Sequence, residues 1–144
     1  MNSMKWVIRI VVTLAVIAAV GAVLVSYFFG SLRVQREASA YLDALETCTP
    51  LEQDAWAPLL RGTIGRSVAG PEGETCVVTM EGLGGEITRC TLNTEARAIM
   101  AGFIQQGADT VSFLGGQTAS LSYSSENPNP MTELLNGPAC LVEQ

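Results

Sequence analysis

The sequence predicts an α+β protein, in which an N-terminal transmembrane helix precedes a small antiparallel sheet with one packed helix and two disulfides. Residues 10–29 form an uncharged apolar run of twenty residues, and all four cysteines follow it. Such a run reaches about 30 Å as a helix, the thickness of the hydrocarbon core of a bilayer. Short segments rich in Val, Ile and Thr then alternate with Gly-rich turns, which is typical of antiparallel strands.

The start of the chain has the layout of a signal sequence, because the basic residues of segment 1–9 precede the apolar run. A cleavage site needs small residues just past that run. Ala19-Val20-Gly21 lies inside it and Ala38-Ser39-Ala40 lies well beyond it. We therefore expect an uncleaved anchor. Paired cysteines need an oxidising compartment, so the N-terminus is predicted to be cytoplasmic and the remainder periplasmic, on a bacterial inner membrane.

Alanines are spaced along the predicted span so that small side chains fall on one helix face. Spacings of four residues in a membrane helix allow a second helix to approach closely. The alternative is that alanine simply fills the helix, and both interpretations stay open. The helix-packing candidates are Ala15, Ala18, Ala19 and Ala22.

Residues 30–47 are predicted to form an amphipathic helix, or stalk, that continues the anchor as one rod. One apolar stripe recurs at helical spacing, and Pro50 disfavours helix in the residue before it. The stripe consists of Val34, Ala38, Tyr41, Leu42 and Leu45.

Residues 48–144 are predicted to form the exported domain. A three-stranded meander is expected at Arg61–Ala69, Thr75–Met80 and Glu86–Thr91. The pattern of residues 51–60 is ambiguous, and a single helical turn around Trp56 is one interpretation.

Asn93 is a good N-cap for a helix that ends before Gly107, with an apolar stripe of Ala96, Ile99, Met100 and Phe103. A further strand at Gln117–Ser124, a helical turn at Met131–Leu135 and an extended piece at Cys140–Val142 complete the domain. The large aromatic side chains are expected in its core because a domain this small needs each of them there. They are Trp56, Phe103, Phe113 and Tyr123.

The cysteines are predicted to form Cys76–Cys90 and Cys48–Cys140. A hairpin symmetric about Leu83 places Cys76 opposite Cys90, and the second bond then ties the C-terminus to the end of the stalk. Four cysteines allow three pairings.

The composition excludes most chemistry. The chain has no histidine, and residues 31–144 hold six basic and fourteen acidic side chains, a net charge of −8. Nucleic-acid binding and adhesion to anionic lipid are therefore not expected. The cysteines lack the C-x-x-C spacing of redox or zinc sites, no carboxylate pair sits in a motif, and no serine has a base. No catalytic residue, metal or cofactor is predicted, so we expect no enzyme.

Four features in a fixed order resemble a family of small uncharacterised exported, periplasmic bacterial proteins. They are Cys48-Thr-Pro, a Gly-rich turn leading into Cys76, Cys90 followed by Leu-Asn-Thr-Glu, and the segment from Asn129-Pro to Cys140. Members share a C-T-P start, two sheet cysteines and a final N-P-x(4)-L…C segment. The resemblance covers residues 46–142 and implies an exported, disulfide-bonded domain without an assigned activity.

The function predicted from these features is a single-pass, membrane-anchored accessory or interaction subunit of a bacterial envelope complex, with a protein partner in the membrane or periplasm. The alternative is a pilin-like structural subunit that assembles through its N-terminal helix. Against that alternative, the sequence has no prepilin-type cleavage site. The sequence does not specify the partner or the oligomeric state.

Overall fold

A computed structural model describes residues 2–58, 60–82, 84–116 and 128–143. Within these residues, four helices and five strands follow one another in the order ααββββααβ. The helices are α1 (Asn2–Phe29), α2 (Ser31–Thr47), α3 (Thr94–Asp109) and α4 (Pro130–Leu135). The strands are β1 (Leu51–Ala57), β2 (Gly62–Glu72), β3 (Thr75–Glu81), β4 (Ile87–Leu92) and β5 (Cys140–Glu143).

Helix α1 contains the predicted span and is long and apolar enough to cross a membrane. Its most apolar window is not buried at all within the protein, so α1 is not the core helix of a globular domain. This run of Val, Ile, Leu and Ala satisfies its backbone hydrogen bonds within the helix, except at the two end turns, which is the requirement for crossing lipid.

The predicted continuous rod is interrupted at Gly30. This residue is extended, with φ −102° and ψ −159°, so α1 and α2 are separate helices. Helix α2 then buries Ala38, Tyr41 and Leu45 on the predicted stripe. It ends at Thr47, and the N–H of the capping residue Cys48 donates to the carbonyl of Ala44. The left-handed backbone of Cys48 (φ 51°) directs the N–H of Thr49 to the same carbonyl at 2.9 Å.

The five strands form one antiparallel sheet in chain order, β1-β2-β3-β4-β5. The three strands of the predicted meander are present, and β5 extends the sheet from residues expected to be extended. The predicted helical turn at residues 51–60 is wrong, because Leu51–Ala57 pairs along its whole length with β2. The predicted strand at Gln117–Ser124 lies outside the described residues.

Strand β2 runs further than predicted because Gly70 accommodates a bulge inside it. The register with β3 shifts between Val68 and Gly70, and Gly70 has φ +119°, which L side chains rarely adopt. The chain reverses after this bulge at Gly73, where φ is +64°.

Helix α3 starts where predicted, because the side chain of Asn93 accepts a hydrogen bond from the N–H of Ala96 at 2.8 Å. It continues past Gly107 to Asp109, contrary to the predicted end. The continuation buries Ala108, whose position extends the apolar face of the helix by two turns beyond Met100.

The core lies between the helices and one face of the sheet. Burial of each large apolar side chain contributes about 1.5–3 kcal/mol relative to exposure. The largest fully buried side chains of this core are Tyr41 and Leu45 from α2, Val68, Val78 and Leu92 from the sheet, and Met100 from α3.

The two disulfides join Cys48 to Cys76 and Cys90 to Cys140, so the predicted pairing is wrong although all four cysteines are bonded. The β3–β4 register explains the difference, because Cys76 lies opposite Leu92 and Cys90 lies opposite Val78. The cysteines of this hairpin are therefore diagonal neighbours. Cys90 instead faces Cys140 directly across β4 and β5.

Candidate functional site: the junction between α1 and the domain

The described residues contain no group of three or more side chains that could hold a metal ion. Among the described residues, polar groups from distant parts of the chain converge at the junction between α1 and the domain. The junction comprises Phe29 and Gly30, Arg33 and Glu37 of α2, Trp56 of β1, and the loop 110–116.

Gly30 lies at the centre of this junction, in direct contact with the loop 110–116. A Cβ on Gly30 would collide with the carbonyl oxygen of Phe113, so only glycine fits there. The N–H of Ser31 donates to the carbonyl of Ser112 at 3.2 Å, which fixes the loop against the first turn of α2. Gly115 makes the same close approach from the other side, since its Cβ would lie 2.7 Å from the carbonyl oxygen of Phe29.

Trp56 attaches the first strand to the end of α1. Its indole Nε1–H donates to the carbonyl oxygen of Phe29 at 3.0 Å, and the two rings meet edge to face with centroids 5.7 Å apart. The carbonyls of the last helical turn have no intrahelical donors, so this bond satisfies one of them. Arg33 satisfies another, because its Nη1 donates to the carbonyl of Phe28 at 3.0 Å.

Glu37 connects α2 to the outer edge of the sheet. Its carboxylate accepts from Arg33 Nε at 2.7 Å and from the backbone N–H of Trp56 at 2.6 Å. A strand at the edge of a sheet leaves such N–H groups unpaired, and here one of them is satisfied by a carboxylate that is largely buried. The Arg33 guanidinium also lies 4.9 Å from the centre of the Trp56 ring.

A second polar layer lies one turn further along α2. Arg66 of β2 donates from Nε and Nη2 to Gln53 Oε1 at 2.9 and 2.7 Å, and from Nη2 to the Glu37 carbonyl at 2.9 Å. Its guanidinium stacks 4.4 Å from the centre of the Tyr41 ring. Burial lowers the pKa of Arg66, while Tyr41 and Glu37 oppose that shift.

Tyr41 is completely buried beneath this arginine. Desolvation raises the pKa of its phenol to about 12, and the positive charge of Arg66 reduces the shift. Among the described residues no atom hydrogen-bonds the Tyr41 hydroxyl. The pair therefore places a positive charge directly against a phenol ring in the interior of the domain.

The sequence-predicted site residues lie elsewhere in the molecule. The four cysteines are buried in the core, away from the junction. The helix-packing candidates Ala15, Ala18 and Ala19 are exposed on α1 and Ala22 is half-buried, so most of the face they define is exposed. Whether another helix covers that face stays a prediction.

Sequence reasoning missed most of the junction. Trp56, expected in the core, is only half-buried and touches the end of α1. Phe113, also expected in the core, is exposed on the loop. Phe103 is partly buried against the core as expected, and Tyr123 lies outside the described residues. The sequence feature that could have indicated the junction was the oppositely charged pair Arg33 and Glu37, which lie four residues apart on a predicted helix directly after the span.

Comparison of the chain with protein-family models, with curated proteins and with solved structures finds no match.

Proposed function

We propose that this protein is a single-pass inner-membrane protein whose periplasmic domain serves as a non-catalytic accessory or interaction subunit of a bacterial envelope complex. The observation that carries the proposal is the junction. An apolar helix that the domain does not bury is tied to that domain by Trp56, Arg33 and the loop at Gly30.

These ties support an uncleaved anchor over a signal sequence that is removed. A cleaved signal contributes nothing to the folded domain, whereas here the carbonyls of Phe28 and Phe29 accept hydrogen bonds from residues beyond the span. Cleavage near Phe29 would leave the Trp56 indole and the Arg33 guanidinium without these acceptors. The two core disulfides support an oxidising compartment for the domain, and therefore a cytoplasmic N-terminus.

Purification in mild detergent after cross-linking in cells, followed by mass spectrometry, tests the function. We expect one membrane complex to be recovered with the chain in a fixed ratio, and an intact N-terminal mass. Recovery of ladders of the chain alone would instead support the pilin-like structural subunit, and a processed N-terminus would contradict the anchor.

A matched pair of variants sharpens this experiment. Ala18→Leu with Ala22→Leu adds bulk to the open small-residue face of α1, while Val20→Leu adds bulk on the opposite face. If the partner is a membrane helix that packs on this face, the first variant loses the complex and the second retains it. Equal recovery from both would place the contact with the partner outside this helix face.

A further inference from the structure

The end of the domain nearest α1 carries exposed apolar side chains on two loop tips. Helix α2 rises away from Gly30 over 17 residues, about 25 Å at 1.5 Å per residue. Strand β1 returns over seven residues, about 23 Å at 3.3 Å per residue, and its Trp56 is level with Phe29. The hairpin tip that follows Ala57 therefore reaches the level at which the apolar part of α1 ends.

The second tip is the loop 110–116, held at the same level by its contacts with Gly30. Leu60 on the first tip is 49% exposed, and Phe113 and Leu114 on the second are 46% and 61% exposed. All three flank a helix end that already carries Tyr27, Phe28 and Phe29, the aromatic residues typical of a membrane–water interface.

The domain has half of its arginines at this end. Its net charge of −8 argues against general adhesion to lipid, yet three of its six arginines, at positions 33, 36 and 61, lie at this end. Arg36 and Arg61 are exposed, and the Arg36 guanidinium lies 4.4 Å from the centre of the Tyr27 ring. Apolar tips with arginines beside them match the interfacial zone, where acyl chains end and phosphates begin.

We propose that these loop tips form a lipid-contacting collar, comprising Leu60, Phe113 and Leu114 with Arg36 and Arg61, that rests in the headgroup region of the bilayer that α1 enters. The collar is continuous with the exposed apolar surface of α1, which identifies lipid as its occupant. This inference rests on the proposed membrane anchor. It adds that the domain lies directly on the membrane and does not stand clear of it on a stalk.

Fluorophore depth in vesicles tests the collar with the full-length protein. Single cysteines are introduced as Leu114→Cys, Leu60→Cys and the control Leu141→Cys, and each is labelled with the environment-sensitive dye NBD under non-reducing conditions, where the native disulfides do not react. Leu141 on β5 is 69% exposed, comparable to Leu114, but is not on either tip. The labelled proteins are reconstituted in vesicles of phosphatidylethanolamine and phosphatidylglycerol, with and without lipids that carry a nitroxide near the headgroup.

We expect blue-shifted, several-fold brighter NBD emission at positions 60 and 114, with strong quenching by the nitroxide lipids, and an aqueous signal without quenching at position 141. Aqueous signals at both tips in protein that floats with the vesicles would overturn the collar and leave the anchor intact. A lipid signal at only one tip, or an equal one at 141, would also overturn it. Failure of the unmodified chain to float with vesicles would refute the anchor itself, and the collar with it.

Discussion

The disulfide pairing is the prediction that tests the sheet most directly, because it depends on the register of three strands. Cys48–Cys76 closes a loop with a sequence separation of 28 residues, and Cys90–Cys140 closes one of 50. In the chain-entropy model these loops correspond to about 3.6 and about 4.1 kcal/mol of stabilisation. Each value is a large share of the roughly 5–15 kcal/mol by which domains are stable. Replacing either pair with alanine should therefore leave a marginal domain.

The pairing itself can be measured by peptide mapping of the unreduced protein. Trypsin cleaves after Arg36, Arg61, Arg66, Arg89 and Arg97, so every cysteine falls in a different peptide. We expect peptide 37–61 to be linked to 67–89, and peptide 90–97 to be linked to 98–144. Alkylation of free thiols before digestion prevents exchange during the experiment.

A peptide 67–89 linked to 90–97 would refute this reasoning. That linkage needs Cys76 opposite Cys90, two positions away from the observed register, in which Cys76 faces Leu92. Guanidinium unfolding of the alanine pairs in detergent provides the energetic test. Cys48→Ala with Cys76→Ala, and Cys90→Ala with Cys140→Ala, should each lower the free energy of unfolding by about 3–4 kcal/mol. A loss below about 1 kcal/mol for either pair would show that the bond does not constrain the unfolded chain.

Three further substitutions probe the junction and the buried phenol, each followed by guanidinium unfolding in detergent. Gly30→Ala should lower the free energy of unfolding by about 1–3 kcal/mol, because the new Cβ collides with the carbonyl of Phe113. In the control Gly21→Ala the new Cβ meets nothing within 4 Å, so the free energy of unfolding should not fall. Equal effects of the two substitutions would contradict the close approach at Gly30. Trp56→Phe keeps an aromatic ring but removes the N–H that donates to Phe29, and should lower the free energy of unfolding by about 0.5–1.5 kcal/mol, while Trp6→Phe should leave it unchanged. Tyr41→Phe should be neutral or stabilising by up to about 1 kcal/mol near pH 7. Folding raises the Tyr41 pKa from 10.0 to about 12, so the protonated phenol stabilises the fold below pH 10 and this stabilisation is lost as the pH rises towards 12. Tyr41→Phe should lack this alkaline loss of stability. If the variant and the unmodified protein lose stability equally between pH 10 and 12, Tyr41 is not the group responsible.

The elements that could be predicted from sequence are those whose signals are local. The stripe of α2 and the Asn93 cap of α3 are contained within a few turns, and both helices start where expected. Strand β1 has no such signal, because Leu51–Ala57 contains no β-branched residue and its only aromatic side chain is Trp56. Pairing with β2, the next strand along the chain, determines its conformation, and no local pattern in β1 reports that pairing.

The junction could not be predicted because its contacts join residues far apart along the chain. Gly30 packs against the carbonyl of Phe113, and the indole N–H of Trp56 donates to the carbonyl of Phe29. Helix and strand periodicity in the sequence cannot indicate contacts between residues this far apart along the chain. The disulfide pairing failed for a related reason. A small error in the centre of the β3–β4 turn moves Cys76 from diagonal to directly opposite Cys90, and both placements keep the two sulfurs on one face of the sheet.

The geometry of the junction bears on how the proposed accessory subunit would meet a partner at the membrane. A domain on a flexible linker samples many orientations, and linkers of that kind are rich in glycine and serine. Here the single extended residue, Gly30, is enclosed by the loop 110–116 on one side and lies beside Trp56 and Arg33. Bending at this point would break the bonds to the carbonyls of Phe28 and Phe29, so the ties favour one orientation of the domain relative to α1. With α2 about 25 Å long, we expect a partner of the domain to bind within that distance of the membrane surface, either another membrane protein or one held close to the bilayer.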